Sequence, residues 1–182
     1  YGCCQMFLSQ LNENKMITPA QILEVLNTFI FTNHKNHAMT FFVACLDLFS
    51  CELTYSNAGH NFPIYIQANG KIGHLLGSNY SLGYCGNPQY SLKTTILEKG
   101  DILVFFTDGL IEISPLDRKG VGERRLIRMI CQSAKRSQAL SAKSLLNQIL
   151  EEFCGKSLLD QASQLEDDLA IICLSVKEKA VT

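Results

Sequence analysis

The sequence has no excess of positive charge, no long apolar run and no paired cysteines, and each absence removes a class of function. Lys and Arg total 16 against 17 Asp and Glu, a formal net charge of -1. No strongly basic surface is available to neutralise a row of phosphates, so a nucleic-acid binder is not expected. The longest apolar stretches lie near Phe41 to Leu46 and Ile102 to Phe106, far short of the ~20 residues of a membrane-spanning helix. The eight cysteines, Cys3, Cys4, Cys45, Cys51, Cys85, Cys131, Cys154 and Cys173, include no C-x-x-C pair. They read as small core residues of a reduced, cytoplasmic protein rather than a disulfide framework or zinc knuckle. No secretory leader pattern opens the chain, and no linker, internal repeat or low-complexity stretch divides it. The first residues, Tyr1-Gly2-Cys3-Cys4, lack an initiating methionine, and an excised fragment is expected.

With 182 residues and 47% hydrophobic composition, the chain can bury a substantial core as one domain. Met6, Leu8 and Leu11, then Ile22, Val25, Leu26, Phe29 and Ile30, recur at helical spacing. Thr18-Pro19 supplies an N-cap hydroxyl and a first-turn proline. Met39 to Phe49 is nearly all apolar and predicts a strand covered on both faces, central in a sheet. Leu53, Tyr55 and Asn57 alternate with Thr54 and Ser56, which predicts a strand with one face inward. Asn69-Gly70 marks a hairpin between Pro63 to Gln67 and Lys71 to Leu75, and Lys99-Gly100-Asp101 marks another between Tyr90 to Leu97 and Ile102 to Thr107. From Val121 the helical period returns in two segments, with Gly155 suited to a C-terminal cap. Leu169 to Val176 predicts a last, buried strand. This order of elements predicts an α+β arrangement.

Two acidic sites stand out against this frame. Asp108 follows the apolar strand Ile102 to Thr107, and Asp167-Asp168 open the strand Leu169 to Val176. If these strands are antiparallel neighbours, their carboxylates converge, and carboxylates brought together repel unless they share a proton or a cation. Oxygen-only ligands suit Mg²⁺ or Mn²⁺. Taken singly, Asp108-Gly109 is a turn after a strand and Asp167-Asp168 a solvated strand start. Asn57 in Asn57-Ala58-Gly59-His60 points where the alternation predicts core, so its amide either ties down the Gly59 turn or lies near a reaction centre. His60 reads as structural.

Met39-Thr40, Leu46-Asp47, Leu53-Thr54-Tyr55-Ser56-Asn57-Ala58-Gly59-His60, Ser81-Leu82-Gly83, Gly100-Asp101, Thr107-Asp108-Gly109-Leu110-Ile111-Glu112 and Asp167-Asp168 follow one another in order. In this the chain resembles the bacterial serine phosphatases of the SpoIIE/RsbU type, in the metal-dependent protein phosphatase (PPM) superfamily. The resemblance covers essentially the whole chain and implies a layered α-β-β-α sandwich of two antiparallel sheets flanked by helices, with a two-metal centre of manganese or magnesium. It assigns Asp108 and Asp167 as metal ligands and catalytic residues, Asp168 as a further candidate ligand, and Gly109 and Asn57 as near-site residues. The family's bridging aspartate, in an upstream Gly-Asp-x-x-Gly-His-Gly motif, has no match here. One catalytic domain spanning 1–182 and truncated at its N-terminus is therefore expected, holding at most one weakly bound ion. The final motif also departs from Asp-Asp-x-Thr, since Leu169-Ala170 follow the acidic pair, which weakens a hydroxyl contact.

The resemblance implies hydrolysis of phosphoserine or phosphothreonine on a regulatory protein of the anti-sigma-factor antagonist kind, governed by an upstream sensor. Water activated by two cations attacks phosphorus in line, so no nucleophilic Cys or Ser signature is required. Two rivals follow from the same residues: a non-catalytic phosphoprotein-binding pseudo-phosphatase, and a two-carboxylate glycosidase using Asp108 and Asp167. His34 and His37 lack partners at zinc spacing and read as loop residues. Arg118, Lys119, Arg124, Arg125 and Arg128 could attract a phosphorylated partner but read as a solvated face. Cys3-Cys4 has no flanking cation to lower a thiol pKa and reads as packing.

Overall fold

The computed structural model describes residues 17–34, 37–77, 80–112, 122–136, 141–154 and 168–177. The chain divides into two compact units, residues 1–60, 76–97 and 179–182 in the first and 61–75 with 98–178 in the second. The architecture is α+β, with two antiparallel sheets and flanking helices.

The first unit starts with helix α1 (Pro19–Asn33), whose entry is set by Thr18. The Thr18 hydroxyl accepts from the Gln21 amide at 3.3 Å while the Gln21 side-chain oxygen accepts from the Thr18 amide at 2.9 Å. This reciprocal capping box satisfies two donors that the first turn leaves open. Leu23 is buried among Ala20, Ala58, Leu82 and Tyr90, with Leu26, Ile30 and Val43 packed around them. Strands β1 (Phe41–Leu46), β2 (Glu52–Ala58) and β5 (Lys93–Ile96) form its sheet in the order β1-β2-β5. Asp47 shapes the β1–β2 turn by accepting from the amides of Phe49 and Ser50. Those two amide bonds, the Ser50 contribution first, hold the Asp47 carboxyl below the usual carboxylate range.

The second unit holds β3 (Ile64–Ile66), β4 (Ile72–His74), β6 (Ile102–Phe106) and β7 (Ile171–Ser175), in the order β4-β3-β6-β7. The β3–β4 hairpin turns at Asn69-Gly70 as expected, with Gly70 at φ 84°. The short helix α2 (Asp108–Glu112) follows β6, and α3 (Gly122–Arg136) and α4 (Ala142–Cys154) supply the two later helices. Their apolar residues Leu110, Leu126, Ile130, Leu145 and Ile149 share one core with Ile64, Ile66, Ile102, Val104 and Phe106.

Several expectations need correction. The β1 run is not central: it is an edge of the described three-stranded sheet, with Phe41, Ala44, Cys45 and Leu46 exposed. Continuous apolarity reports the tendency to bury, not the number of neighbours a strand acquires. For the same reason Leu169 to Val176 is not a fully buried strand; β7 is an edge whose residues alternate, leaving Ile172 and Leu174 exposed. The Lys99-Gly100-Asp101 turn does not close a hairpin, because β5 pairs with β2 and β6 pairs with β3 and β7. Tyr90 to Leu92 precede β5 rather than belonging to it. Among the described cysteines, Cys51 is buried but Cys45 is exposed, and Cys45, Cys51, Cys85, Cys131 and Cys173 are all free thiols. The helical reading at Met6 to Leu11 and the cap at Gly155 lie outside the described residues, as do Cys3, Cys4, Cys154's side chain, Arg118 and Lys119.

Candidate functional site

Strand β6 ends at Phe106, and its register against β7 pairs Phe106 with Ile171. One residue further, the Thr107 amide donates to the Ala170 carbonyl at 3.0 Å. The Thr107 hydroxyl donates to the Asp168 carbonyl at 2.9 Å and accepts from the Ala170 amide at 2.9 Å. The antiparallel arrangement considered from sequence is thus present, and it carries Asp108 and Asp168 to the same end of the sheet. Both are exposed, whereas Phe106, Gly109 and Leu110 on either side of the acidic position are buried. Asp108 opens α2, where the helix N-terminus favours a negative group. Asp167 lies outside the described residues.

The donors described at this sheet end are the carboxylate oxygens of Asp108 and Asp168, and in kind they fit a hard divalent cation such as Mg²⁺ or Mn²⁺. Among the described residues no group of three His, Cys, Asp or Glu side chains gathers. Two carboxylate residues leave most positions of an octahedral ion to water.

Asn57, in the first unit, is fully buried. Its side-chain oxygen accepts from the His60 amide at 2.7 Å and its side-chain nitrogen donates to the His60 carbonyl at 2.9 Å. The amide thereby closes the Asn57-Ala58-Gly59-His60 turn, at the centre of which Gly59 has φ 72° and a Cβ would meet the Ser81 hydroxyl at 2.6 Å. His60 itself lies 3.3 Å from the Thr40 hydroxyl through Nδ1. His34 packs against Phe29 with the rings tilted at 54° and their centroids 5.9 Å apart. Arg124, Arg125 and Arg128 lie on the exposed face of α3, where Arg125 pairs with Glu152 of α4 at 2.7 Å.

Two residues act as buried polar anchors that the sequence does not mark as such, although Asp101 stands in one of its turns and motifs. Asn27 of α1 is 1% exposed; its oxygen accepts from the Gly83 amide at 2.8 Å and the Tyr90 hydroxyl at 3.3 Å, and its nitrogen donates to the Cys85 carbonyl at 3.0 Å. Its one signal in the sequence is its phase: it shares the buried face of α1 with Leu23. Asp101 is 2% exposed and accepts from the Tyr65 hydroxyl and from the amides of Ala68 and Glu98. Burial first, then the bond to Asp101, pushes the Tyr65 phenol up to about 12.

A family model described as Stage II sporulation protein E (SpoIIE) matches residues 4–177. The phosphoserine phosphatase RsbU of Bacillus subtilis is 30% identical over 167 residues, covering 88% of this chain and 46% of the relative. Protein IcfG of Synechocystis is 28% identical over 145 residues, covering 78% of this chain and 22% of that protein. The chain therefore spans less than half the length of both curated relatives. Among solved structures, the RsbU and RsbW domains of Rv1364c from Mycobacterium tuberculosis align with a TM-score of 0.69 at 20% identity, over 95% of this chain and 45% of that one. The SpoIIE phosphatase domain from Bacillus subtilis, in a crystal presoaked with Mn, aligns with a TM-score of 0.59 at 14% identity, over 96% of this chain and 75% of that one. These structural likenesses establish a shared fold.

Proposed function

The chain belongs to the SpoIIE family, and from that premise we propose that residues 1–182 form one metal-dependent serine/threonine phosphoprotein phosphatase domain. The observation that carries the reading is the joining of Thr107-Asp108-Gly109 to the 168–170 segment, which sets two carboxylate-bearing residues at one sheet end. Asp108 and Asp168, with Asp167 beside them in sequence, would hold Mn²⁺ or Mg²⁺. When bound, such an ion lowers the pKa of water and neutralises charge on the phosphoryl oxygens. Asp108 and the acidic pair act as ligands, and Gly109 beside Asp108 is buried in the first turn of α2. The relative RsbU is named as a phosphoserine phosphatase, which supports a phosphoserine substrate; the reading extends this to phosphoserine or phosphothreonine on a regulatory protein of the anti-sigma-factor antagonist kind, met in the cytoplasm. Among the described residues, no helix is long and apolar enough to cross a membrane.

The test is hydrolysis of a phosphoserine peptide by the intact protein with and without Mn²⁺. Asp108→Asn is expected to lower turnover at least about 100-fold while leaving thermal unfolding unchanged, because it removes a charged ligand without core packing. Metal-independent turnover, or full activity of Asp108→Asn, would contradict the assignment.

A further inference from the structure

We propose that Thr107 is a positioning residue of this acidic site: its hydroxyl fixes the backbone at 168–170 and so holds the Asp168-bearing segment that leads into β7 beside Asp108. The inference rests on the phosphatase reading above and extends it to a residue that binds no phosphate and no ion itself. The ladder between β6 and β7 ends at the Phe106–Ile171 pair. Beyond it, the connection is carried by the Thr107 amide to the Ala170 carbonyl and by the hydroxyl, which is spent on both sides at once. As donor it takes the Asp168 carbonyl and as acceptor the Ala170 amide, so the threonine brackets the peptide units on either side of Leu169.

This arrangement matters because β7 is an edge strand of the described sheet, paired only with β6. Its first residues have no second strand to set their position, and Asp168 is exposed. A divalent ion of the Mg²⁺ or Mn²⁺ kind demands near-ideal placement of its oxygens, and groups that orient a ligand without touching the metal commonly change affinity 10- to 100-fold. Ala170 meets the Thr107 hydroxyl through its backbone amide alone, so this contact depends on the threonine side chain.

The experiment measures Mn²⁺ binding to the intact protein by calorimetry, for the parent, Thr107→Val, Thr107→Ser and Asp108→Asn, alongside thermal unfolding without metal. Valine keeps the shape and removes both hydroxyl bonds; serine restores them. Thr107→Val is expected to bind Mn²⁺ about 10-fold more weakly, and Thr107→Ser to stay within about two-fold of the parent. Binding by Thr107→Val equal to the parent, with Asp108→Asn impaired, overturns the role of Thr107 alone. No Mn²⁺ binding by the parent, or unimpaired binding by Asp108→Asn, overturns the site assignment on which the inference rests. Should Thr107→Val fail to fold, amide hydrogen exchange in the parent decides: the Ala170 amide is expected to be protected, and exchange at the rate of an unpaired amide removes the basis of the proposal.

Discussion

Replacing Asp101 tests whether a buried carboxylate, rather than the apolar core alone, fixes the turn that leads into β6. The side chain is 2% exposed. Three donors converge on it: the Tyr65 hydroxyl at 2.5 Å, the Ala68 amide at 2.8 Å and the Glu98 amide at 2.8 Å. The backbone is tied as well, since the Asp101 carbonyl accepts from the Val176 amide at 3.0 Å and the Gly100 amide donates to the Val176 carbonyl at 2.8 Å. Asp101 thus links β3, the Asn69-Gly70 hairpin, the 98–101 turn and the end of β7. A buried donor stripped of its acceptor costs about 1–3 kcal/mol. With three such donors, and partial rehydration of the amides through the space left by the carboxylate, Asp101→Ala is expected to destabilise the fold by about 3–5 kcal/mol. Asp101→Asn keeps one acceptor oxygen but turns the other position into a donor, so about 1–3 kcal/mol is expected. Chemical denaturation of the parent, both variants and Tyr65→Phe, combined as a double-mutant cycle, isolates the Tyr65–Asp101 term. Contacting groups of this sort couple by about 0.5–3 kcal/mol. A loss below about 1 kcal/mol for Asp101→Ala would refute the reasoning, since it would mean the three donors find water or other acceptors as readily without the carboxylate.

The remaining predictions concern the loops and the buried hydroxyls. Gly83→Ala combines a left-handed φ of 81° with a Cβ that would stand 2.3 Å from the His37 carbonyl oxygen; a loss of about 2–4 kcal/mol is expected by thermal unfolding, and a neutral result would show that the loop has shifted. Ser56→Ala should be neutral or stabilising by up to about 1 kcal/mol, because the Ser56 hydroxyl is fully buried and lacks a hydrogen-bond partner among the described residues. A clear loss of stability would point to a partner for that hydroxyl. Burial pushes the phenols of both Tyr65 and Tyr90 up to about 12 from an ordinary 10. Because the folded state holds these protons more tightly than the unfolded chain, their contribution is complete below pH 10 and declines as pH rises from 10 toward 12. Denaturation measured across that window should show a shallower decline for Tyr65→Phe than for the parent, and an identical decline would contradict the assignment.

Local chemistry made several elements legible in advance. Thr18-Pro19 could only start a helix efficiently, Asn69-Gly70 accepts the positive φ of a short hairpin, and the alternation of Leu53, Tyr55 and Asn57 assigns one face of β2 to the interior. Asp108 and the Asp167-Asp168 pair stand out in the sequence because each sits where an apolar strand meets polar residues; the strand pairing brings Asp108 and Asp168 to one sheet end, and Asp167 lies outside the described residues. The two readings of Asn57 were not separable in this way, because an inward amide looks the same in sequence whether it closes a turn or faces a ligand. Its two bonds to His60 use the amide within the turn.

What the amino-acid order determined by itself, then, is what depends on near neighbours: caps, tight turns, helical and strand periods, and the succession of short motifs from Met39 to Asp168 that carried the family resemblance. Pairing was decided only in three dimensions. Two successive strands around Lys99-Gly100-Asp101 look like a hairpin, yet β5 and β6 joined different sheets, because strand partners are chosen by the packing of whole faces rather than by the turn between them. Edge status followed the same rule, leaving β1 and β7 with fewer neighbours than their apolar runs suggest. The polar anchors were likewise tertiary. Asn27 meets Gly83 and Cys85, Asp101 meets Tyr65 and Ala68, and Thr107 meets Asp168 and Ala170, each across tens of residues of chain. A hydrogen bond between distant residues leaves no periodicity behind, so only the folded backbone, by bringing donor and acceptor within 3 Å or so of each other, reveals which polar side chain is structural glue and which is left facing solvent for chemistry.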